Sequence, residues 1–412
     1  MRVGNATVRA VNALTARWAD TVSDGTVFSA AGVWPLLAFL ADGAAGPARE
    51  ELAEALEISA DQAAGAAREL LAAMDAMPGL ETALGLWTRR TLELRAEWEA
   101  GLPADAHGVL TGDPGADRAA LDAWAAKRTG GLIERMPVTT APDTELVLAG
   151  ALALRTEWLS RFWETPWVPE SGPWGERVLL GLRRVSRVLD RIGVADTPAG
   201  AVTELKVLGR NGIDVHLLLG EEHMTPGQVL GAGVDLLARG LPLVPGPLLP
   251  YGDVGPGLRV VRERSVTPDP PTLEVSTVAF DVTARHDLLR SHRLFGLGTA
   301  RDTRRGHFPG ISDFPLAVAS AGQTALARFH ARGFQAAAVT ALGAVGGGPP
   351  PALRHVTTTV EAVFDRPFGF LALHRRSRLV LAAGWVTDPE RYSEDEFEDE
   401  FEDAFQDEEP AG

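Results

Sequence analysis

The apolar spacing of this chain changes character part-way along. Up to about residue 127 it is mostly helical, and from Thr144 onward it is mostly that of strands. Val8 to Val22, Val33 to Leu40, Ala48 to Leu56, Asp61 to Met74 and Ala116 to Lys127 read as helices. The third opens on Gly46-Pro47, and proline suits a first helical position because the N–H it lacks has no partner there. Only Val27-Phe28-Ser29 and Leu80 to Trp87 read as strands in this part. Thr144 to Leu154 (TELVLAGALAL) is a short apolar run suited to a central strand. Thr203 to Leu219 reads as two strands about a turn at Gly209–Gly212. Gly240 to Asp269, rich in Pro and Gly, reads as loop. A strand from Thr272, a helix over His286–Gly298 and further strands to Trp385 follow. Without βαβ alternation this order predicts an α+β fold, not a doubly wound sheet.

Composition sets the class and removes several functions. The 412 residues are 45% hydrophobic with mean hydropathy +0.01, which suits a globular chain with a large core. With no cysteine, disulfides, thiol catalysis and Cys–zinc sites are excluded. The N-terminal stretch, with Arg2, Arg9 and Arg17 spread through it, holds no continuous apolar segment of the secretory kind. No run approaches the ~20 apolar residues of a membrane span. A cytoplasmic protein with no membrane partner is the expectation. The formal charge of −16 becomes −5 once the eleven acids of Ser393–Gly412 are set aside. No basic field on the body invites nucleic acid.

Enzyme chemistry finds no foothold. Phosphate-loop, zinc-protease, nucleophile-elbow and EF-hand patterns are missing. Gly231-Ala-Gly233 and Gly296-Leu-Gly298 lack the third glycine of a dinucleotide fingerprint. Among the nine histidines the nearest useful pair is His286 and His292, whose spacing of six misses one helical face. No catalytic residues, metal or cofactor are expected.

Several segments, in order, resemble successive parts of a serpin. They are Val27–Leu56, Leu121–Met136 with a Thr-x-Gly exit at Thr129–Gly131, Glu145–Trp158, Phe280–Gly298, FPGIS at Phe308–Ser312, and Phe364–Pro389. The similarity spans roughly residues 6–390, and the chain up to 390 is expected to form one domain. The resemblance implies three β-sheets, about nine helices and an exposed reactive loop over about residues 331–363. It further implies a suicide inhibitor of a serine (or cysteine) endopeptidase: the protease cuts the loop, and the freed end enters the main sheet as a strand. At a net ~1 kcal/mol per hydrogen bond, a dozen new bonds release on the order of ten kcal/mol before entropy. The uncut fold is then a kinetically held state.

The resemblance assigns the loop hinge to Gly333, Phe334, Gln335, Ala336, Ala337, Ala338, Val339, Thr340 and Ala341. Small residues there ease entry into a closed sheet. Gly347 lies fourteen residues past Gly333, so Gly347–Gly348 is the candidate scissile bond, with Arg354–His355 as the alternative. Trp158 marks where the sheet opens, and Ser29, Gly150 and Gln323 form its gate.

Three departures favour an alternative, a non-inhibitory binding or scaffold protein on the same fold. Phe334 stands at an inward hinge position where the family has Thr or Ser, and Ala331 where it has Glu. Gly346–Pro351 (GGGPPP) gives a protease little to grip, and its prolines cannot enter a central strand. In the gate, Gly32 stands for a Ser, Gly150 for an Asn and Gln323 for a His.

Beyond residue 390 comes an acidic stretch expected to be disordered, with EDEF-EDEF-EDAF repeated over Glu394–Phe405. In a helix Phe397, Phe401 and Phe405 would share one face, which suits a basic partner with an apolar groove.

Overall fold

The computed structural model describes residues 3–104, 106–334 and 355–393. Its first part is α1 (Asn5–Ala19), β1 (Thr26–Phe28), α2 (Ala30–Gly43), α3 (Gly46–Leu56), α4 (Ala60–Asp75), β2 (Leu80–Arg89), α5 (Ala96–Gly101), β3 (His107–Leu110) and α6 (Pro114–Arg128). α2 is apolar all round and lies buried at nearly every residue, as such a helix must. Its N-cap is Ser29, whose hydroxyl accepts from the Gly32 N–H. α6 starts on Asp113, which accepts from the Gly115 and Ala116 N–H groups, with Pro114 in the first position.

Strands then dominate: β4 (Leu146–Leu154), β5 (Thr156–Glu157), β6 (Trp163–Trp167), β7 (Leu179–Ser186), β8 (Ile192–Thr197), β9 (Gly200–Leu208) and β10 (Ile213–Gly220). After α7 (Pro226–Val234) come β11 (Val244–Pro245), β12 (Gly252–Gly255), β13 (Leu258–Ser265), β14 (Thr272–Val278), β15 (Phe280–Asp287), β16 (Val318–Phe329) and β17 (Gly333–Phe334). The described chain ends with β18 (His355–Val363), β19 (Phe368–His374) and β20 (Leu379–Val386).

Three sheets result. One runs β1-β20-β19-β10-β9-β8-β11 and a second β12-β13-β18-β14-β7-β6. The third runs β3-β2-β4-β16-β17-β5, with β15 also pairing β16. The first and third face each other across the main core. There Phe280 stacks on Phe329 at 5.3 Å and packs against Phe368 and Phe370. No helix among the described residues is long and apolar enough to cross a membrane.

The α+β class holds, and four expectations change. Among the described residues there are seven α-helices rather than about nine. The helix expected over His286–Gly298 is a run of turns from Leu288 to Gly296. Gly296 takes a left-handed φ of 65° against the Glu51 carbonyl, where a Cβ would come within 2.4 Å. The Pro/Gly-rich stretch read as loop contains β12 and β13, because Leu258 and Val260 alternate inward and pair with β18. β18 itself lies centrally in its sheet, so His355–Val363 is strand and not exposed loop.

Candidate functional site: the seam between β4 and β16

β4 and β16 run parallel, with Ser320–Ala325 set against Val147–Leu152. Much of this contact is small: Ala149, Gly150 and Ala151 on one side, Ala321, Gly322 and Ala325 on the other. Short side chains interlock little, so the ladder and the layers on either face hold the seam.

On the core face the hold is polar. Gln323, opposite Gly150, accepts from the Ser29 N–H at 2.8 Å and donates its amide to the Ser29 carbonyl at 2.8 Å. The Ser29 hydroxyl donates to the Leu381 carbonyl at 2.5 Å and accepts from the Gly32 N–H at 3.0 Å. The three expected gate residues therefore meet, drawn from the α2 N-cap, β4 and β16. The glycines are part of the fit. A Cβ on Gly32 would lie 3.2 Å from the Gln323 amide, and one on Gly150 would lie 3.2 Å from the Gly32 carbonyl.

On the opposite face the hold is apolar. Leu121 and Ala125 of α6, with Ile133, Met136 and Val138 after it, pack on Val147, Ala149 and Ala151 in a cluster separate from the main core. Two hydrogen bonds pin this cover to β16: the Thr139 N–H to the Ser320 hydroxyl at 3.1 Å, and the Thr324 hydroxyl to the Arg135 carbonyl at 3.1 Å.

At one end the two strands part, and β17 fills the gap. Gly333 pairs with Glu157, and Phe334 with both Thr156 and Phe329, antiparallel to each neighbour. Only glycine fits at 333, since a Cβ there would stand 2.2 Å from the Thr156 carbonyl. Trp158 seals the junction. It is fully buried, its indole N–H donates to the His330 carbonyl at 2.9 Å, and its rings lie 5.0 Å from Phe329.

A family model for the serpins (serine protease inhibitor) matches residues 6–169. Over nearly its whole length the chain superposes on solved serpin structures. It is similar to thyroxine-binding globulin in complex with thyroxine at TM-score 0.69 and 16% identity, over 94% of this chain and 98% of that one. It is similar to tengpin, a thermophilic serpin in its native state, at 0.69 and 14%, over 92% and 94%. It is also similar to Serpin48 of the insect Tenebrio molitor at 0.64 and 18%, over 93% and 98%. The fold is the serpin fold. No curated protein matches the sequence.

In this serpin fold, two histidines next to the seam escaped the sequence reading as site residues. His286 stands opposite Gln323 on β15, and its Nε2 lies 2.8 Å from the Val27 carbonyl. Burial pushes its imidazole below the ordinary histidine value, against the raising effect of that carbonyl. His330, whose carbonyl binds Trp158, is also pushed down by burial; Asp281 opposes the shift and Arg328 adds to it. Strand alternation around Phe280 signals the inward turn of His286, and no signal marks His330. His292, the other half of the sequence pair, is turned away, with Nδ1 3.2 Å from the Leu289 carbonyl.

Of the remaining expected loop positions, Gln335, Ala336, Ala337, Ala338, Val339, Thr340, Ala341, Gly347, Gly348 and Arg354 lie outside the described residues. His355 is the first residue of β18, opposite Ser265. The acidic repeat also lies outside.

Proposed function

We propose that this chain inhibits a serine (or cysteine) endopeptidase by the serpin mechanism: loop cleavage, then insertion of the freed end between β4 and β16. The observation that carries the reading is the double pairing of Gly333–Phe334 at the parted end of the seam. A strand continuing in that register moves one residue back along both neighbours at each step, and it leaves the β4–β16 offset unchanged. Thr340 would then fall between Gly150 and Gln323, and Ala344 would reach Leu146 at the start of β4. Opposed residues share a face, so Phe334, Ala336, Ala338, Thr340, Leu342 and Ala344 would point to the core. Four of these six are Ala or Thr, which suits a crowded interior. Pro349–Pro351 falls beyond the strand ends and does not obstruct this length of insertion.

The test is limited proteolysis with elastase and trypsin, mass spectrometry of the cut, and a thermal melt before and after. A cut between Ala344 and Gly348 with a large rise in melting temperature is the expected result, followed by a detergent-stable complex with the target protease. A cut at Arg354–His355 with an unchanged melt would overturn the proposal.

A second reading, a non-inhibitory binding protein, draws support from the hold on both faces of the seam and from the Gly346–Pro351 run. Thyroxine-binding globulin, to which the chain is similar, was solved with thyroxine bound. Under this reading the acidic repeat serves as a docking segment for a basic partner, and deleting residues 393–412 would remove that partner from a pull-down.

A further inference from the structure

The cover over the seam ends in a step. The segment after α6 crosses β16, and beyond it Asp281, Thr283 and Arg285 of β15 are exposed. On β16 they face Arg328, Leu326 and Thr324 respectively. Alternation turns all six to the side away from His286 and Gln323. Between this floor and a wall made by residues 131–135 lies a pocket of about 410 Å³. The Thr324 hydroxyl fixes the wall by donating to the Arg135 carbonyl at 3.1 Å.

Three arginines line the pocket: Arg135, Arg285 and Arg328. Arg328 is committed, its Nε–H donating to Asp281 at 2.6 Å. Arg135 and Arg285 have no ion pair or side-chain hydrogen bond among the described residues. The carboxylates close by do not answer them. Glu134, on the same wall, pairs with neither, and Asp287, next along the β15 face, accepts from the Leu289 N–H at 3.0 Å. Two unpaired like charges facing one pocket repel, and an anion placed between them turns that repulsion into attraction.

We propose that this pocket binds a small multivalent oxyanion of the diphosphate class. Its oxygens accept from the Arg135 and Arg285 guanidinium groups and from the Thr283 hydroxyl. Guanidinium forks match phosphate oxygens two at a time, and a tetrahedral group meets donors on several sides where a planar carboxylate meets fewer. The bound anion staples the α6 exit to β15. That staple bears on the seam, a consequence that rests on the insertion reading above. Ile133, Met136 and Val138 ride on β4, whereas Arg285 moves with β15 and β16. A strand entering between β4 and β16 parts them by about 4.8 Å, so the inserted form cannot keep Arg135 over Arg285. A ligand that prefers the uncut form holds the chain in it.

The test is isothermal titration calorimetry of the full uncut chain with sodium pyrophosphate, and with sodium malonate as a dicarboxylate counterpart, at about 0.15 M salt. One saturable pyrophosphate site is expected, with malonate at least ten-fold weaker. Arg135→Gln and Arg285→Gln should each weaken pyrophosphate at least ten-fold. Both side chains are exposed, so the ligand-free melting temperature should stay unchanged. Pyrophosphate should slow hydrogen exchange over residues 131–135 and β15 of the uncut chain and leave β9 and β10 as they were. In loop-cut protein whose melting temperature has risen, its affinity should fall at least ten-fold. No saturable site, equal affinity for malonate, or full affinity in either arginine variant would overturn the site. Full affinity in the inserted form would overturn its link to the seam. A cut with no rise in melting temperature would count against the inhibitory reading alone, since the uncut titration still decides the site.

Discussion

The sheet around β19 and β20 and the sheet around β4 and β16 face each other across one core, yet they are held together differently. In the first, every pairing is antiparallel, and β8-β9-β10 and β19-β20 are neighbours in sequence as well as in space. Its strands bury large side chains such as Phe370, Leu371, Leu379 and Leu381. In the second, β4 and β16 are far apart in sequence, parallel, and made up in part of Gly and Ala at their contact. The first sheet is fastened by its own strands. The seam is held by its ladder together with neighbours, Ser29 on one face and the α6 cover on the other.

Four measurements would break or sharpen this contrast. The largest effect belongs to Phe370→Ala in the fixed sheet, which should cost about 3–5 kcal/mol. The cost should be the same in urea unfolding of uncut and loop-cut protein, and a cost that disappears after cleavage would mean this sheet rearranges too.

Gln323→Leu leaves the buried Ser29 N–H and carbonyl without partners, a loss of about 2–4 kcal/mol for the two groups. Because the loss falls on a fastener, the variant should also convert faster to an inserted form on mild heating, as read by native gels. Destabilisation without faster conversion would argue that Gln323 packs the core without gating it.

Gly322→Val is next. Its Cβ would lie 2.9 Å from the Pro137 ring and carbonyl, and overpacking of this kind costs about 1–3 kcal/mol. Hydrogen exchange should speed up over Met136–Thr140 and stay unchanged in β9 and β10; uniform acceleration would blur the distinction.

The smallest effect is that of pH. The folded-state pKa values of His286 and His330 at the seam, and of His374 at the end of β19, lie below the ordinary value, each chiefly through burial. The unfolded chain therefore takes up these protons first. Stability is complete above the unfolded histidine value of about 6.5 and falls as pH drops below it toward the folded values. Melting temperatures of His286→Gln, His330→Gln and His374→Gln from pH 7.5 to 5 should each show a shallower slope than the parent. Only the first two should alter the rate of loop insertion.

Much of this architecture is legible in single segments. The helical spacing of Val8 to Val22 and of Asp61 to Met74 anticipates α1 and α4, and the apolar run after Thr144 anticipates β4. The turn at Gly209–Gly212 separates β9 from β10 as read. Local patterns fail where tertiary contacts outweigh them. Turns replace the helix before Gly298 because Gly296 must pass close to Glu51. β13 forms inside a Pro/Gly-rich stretch because β18 offers it a ladder. The contact between Ser29 and Gln323 is a mixed case. Ser29, Gly150 and Gln323 emerge through a family resemblance, whereas nothing local indicates that Gln323 grips the backbone of Ser29 rather than its hydroxyl.

The sequence by itself determined the α+β class, the helical run that becomes α2 and the short apolar run that becomes β4. Each follows from periodicity or side-chain size, which a chain carries at every position whatever its neighbours. Only the tertiary structure decided that Gln323 hydrogen-bonds the Ser29 backbone beside the seam, that His286 and His330 stand next to it, and that Glu204 and His216 meet across β9 and β10. Those contacts join residues 12 to 294 positions apart. Their energies come from burial and mutual geometry, which exist only once the strands have paired.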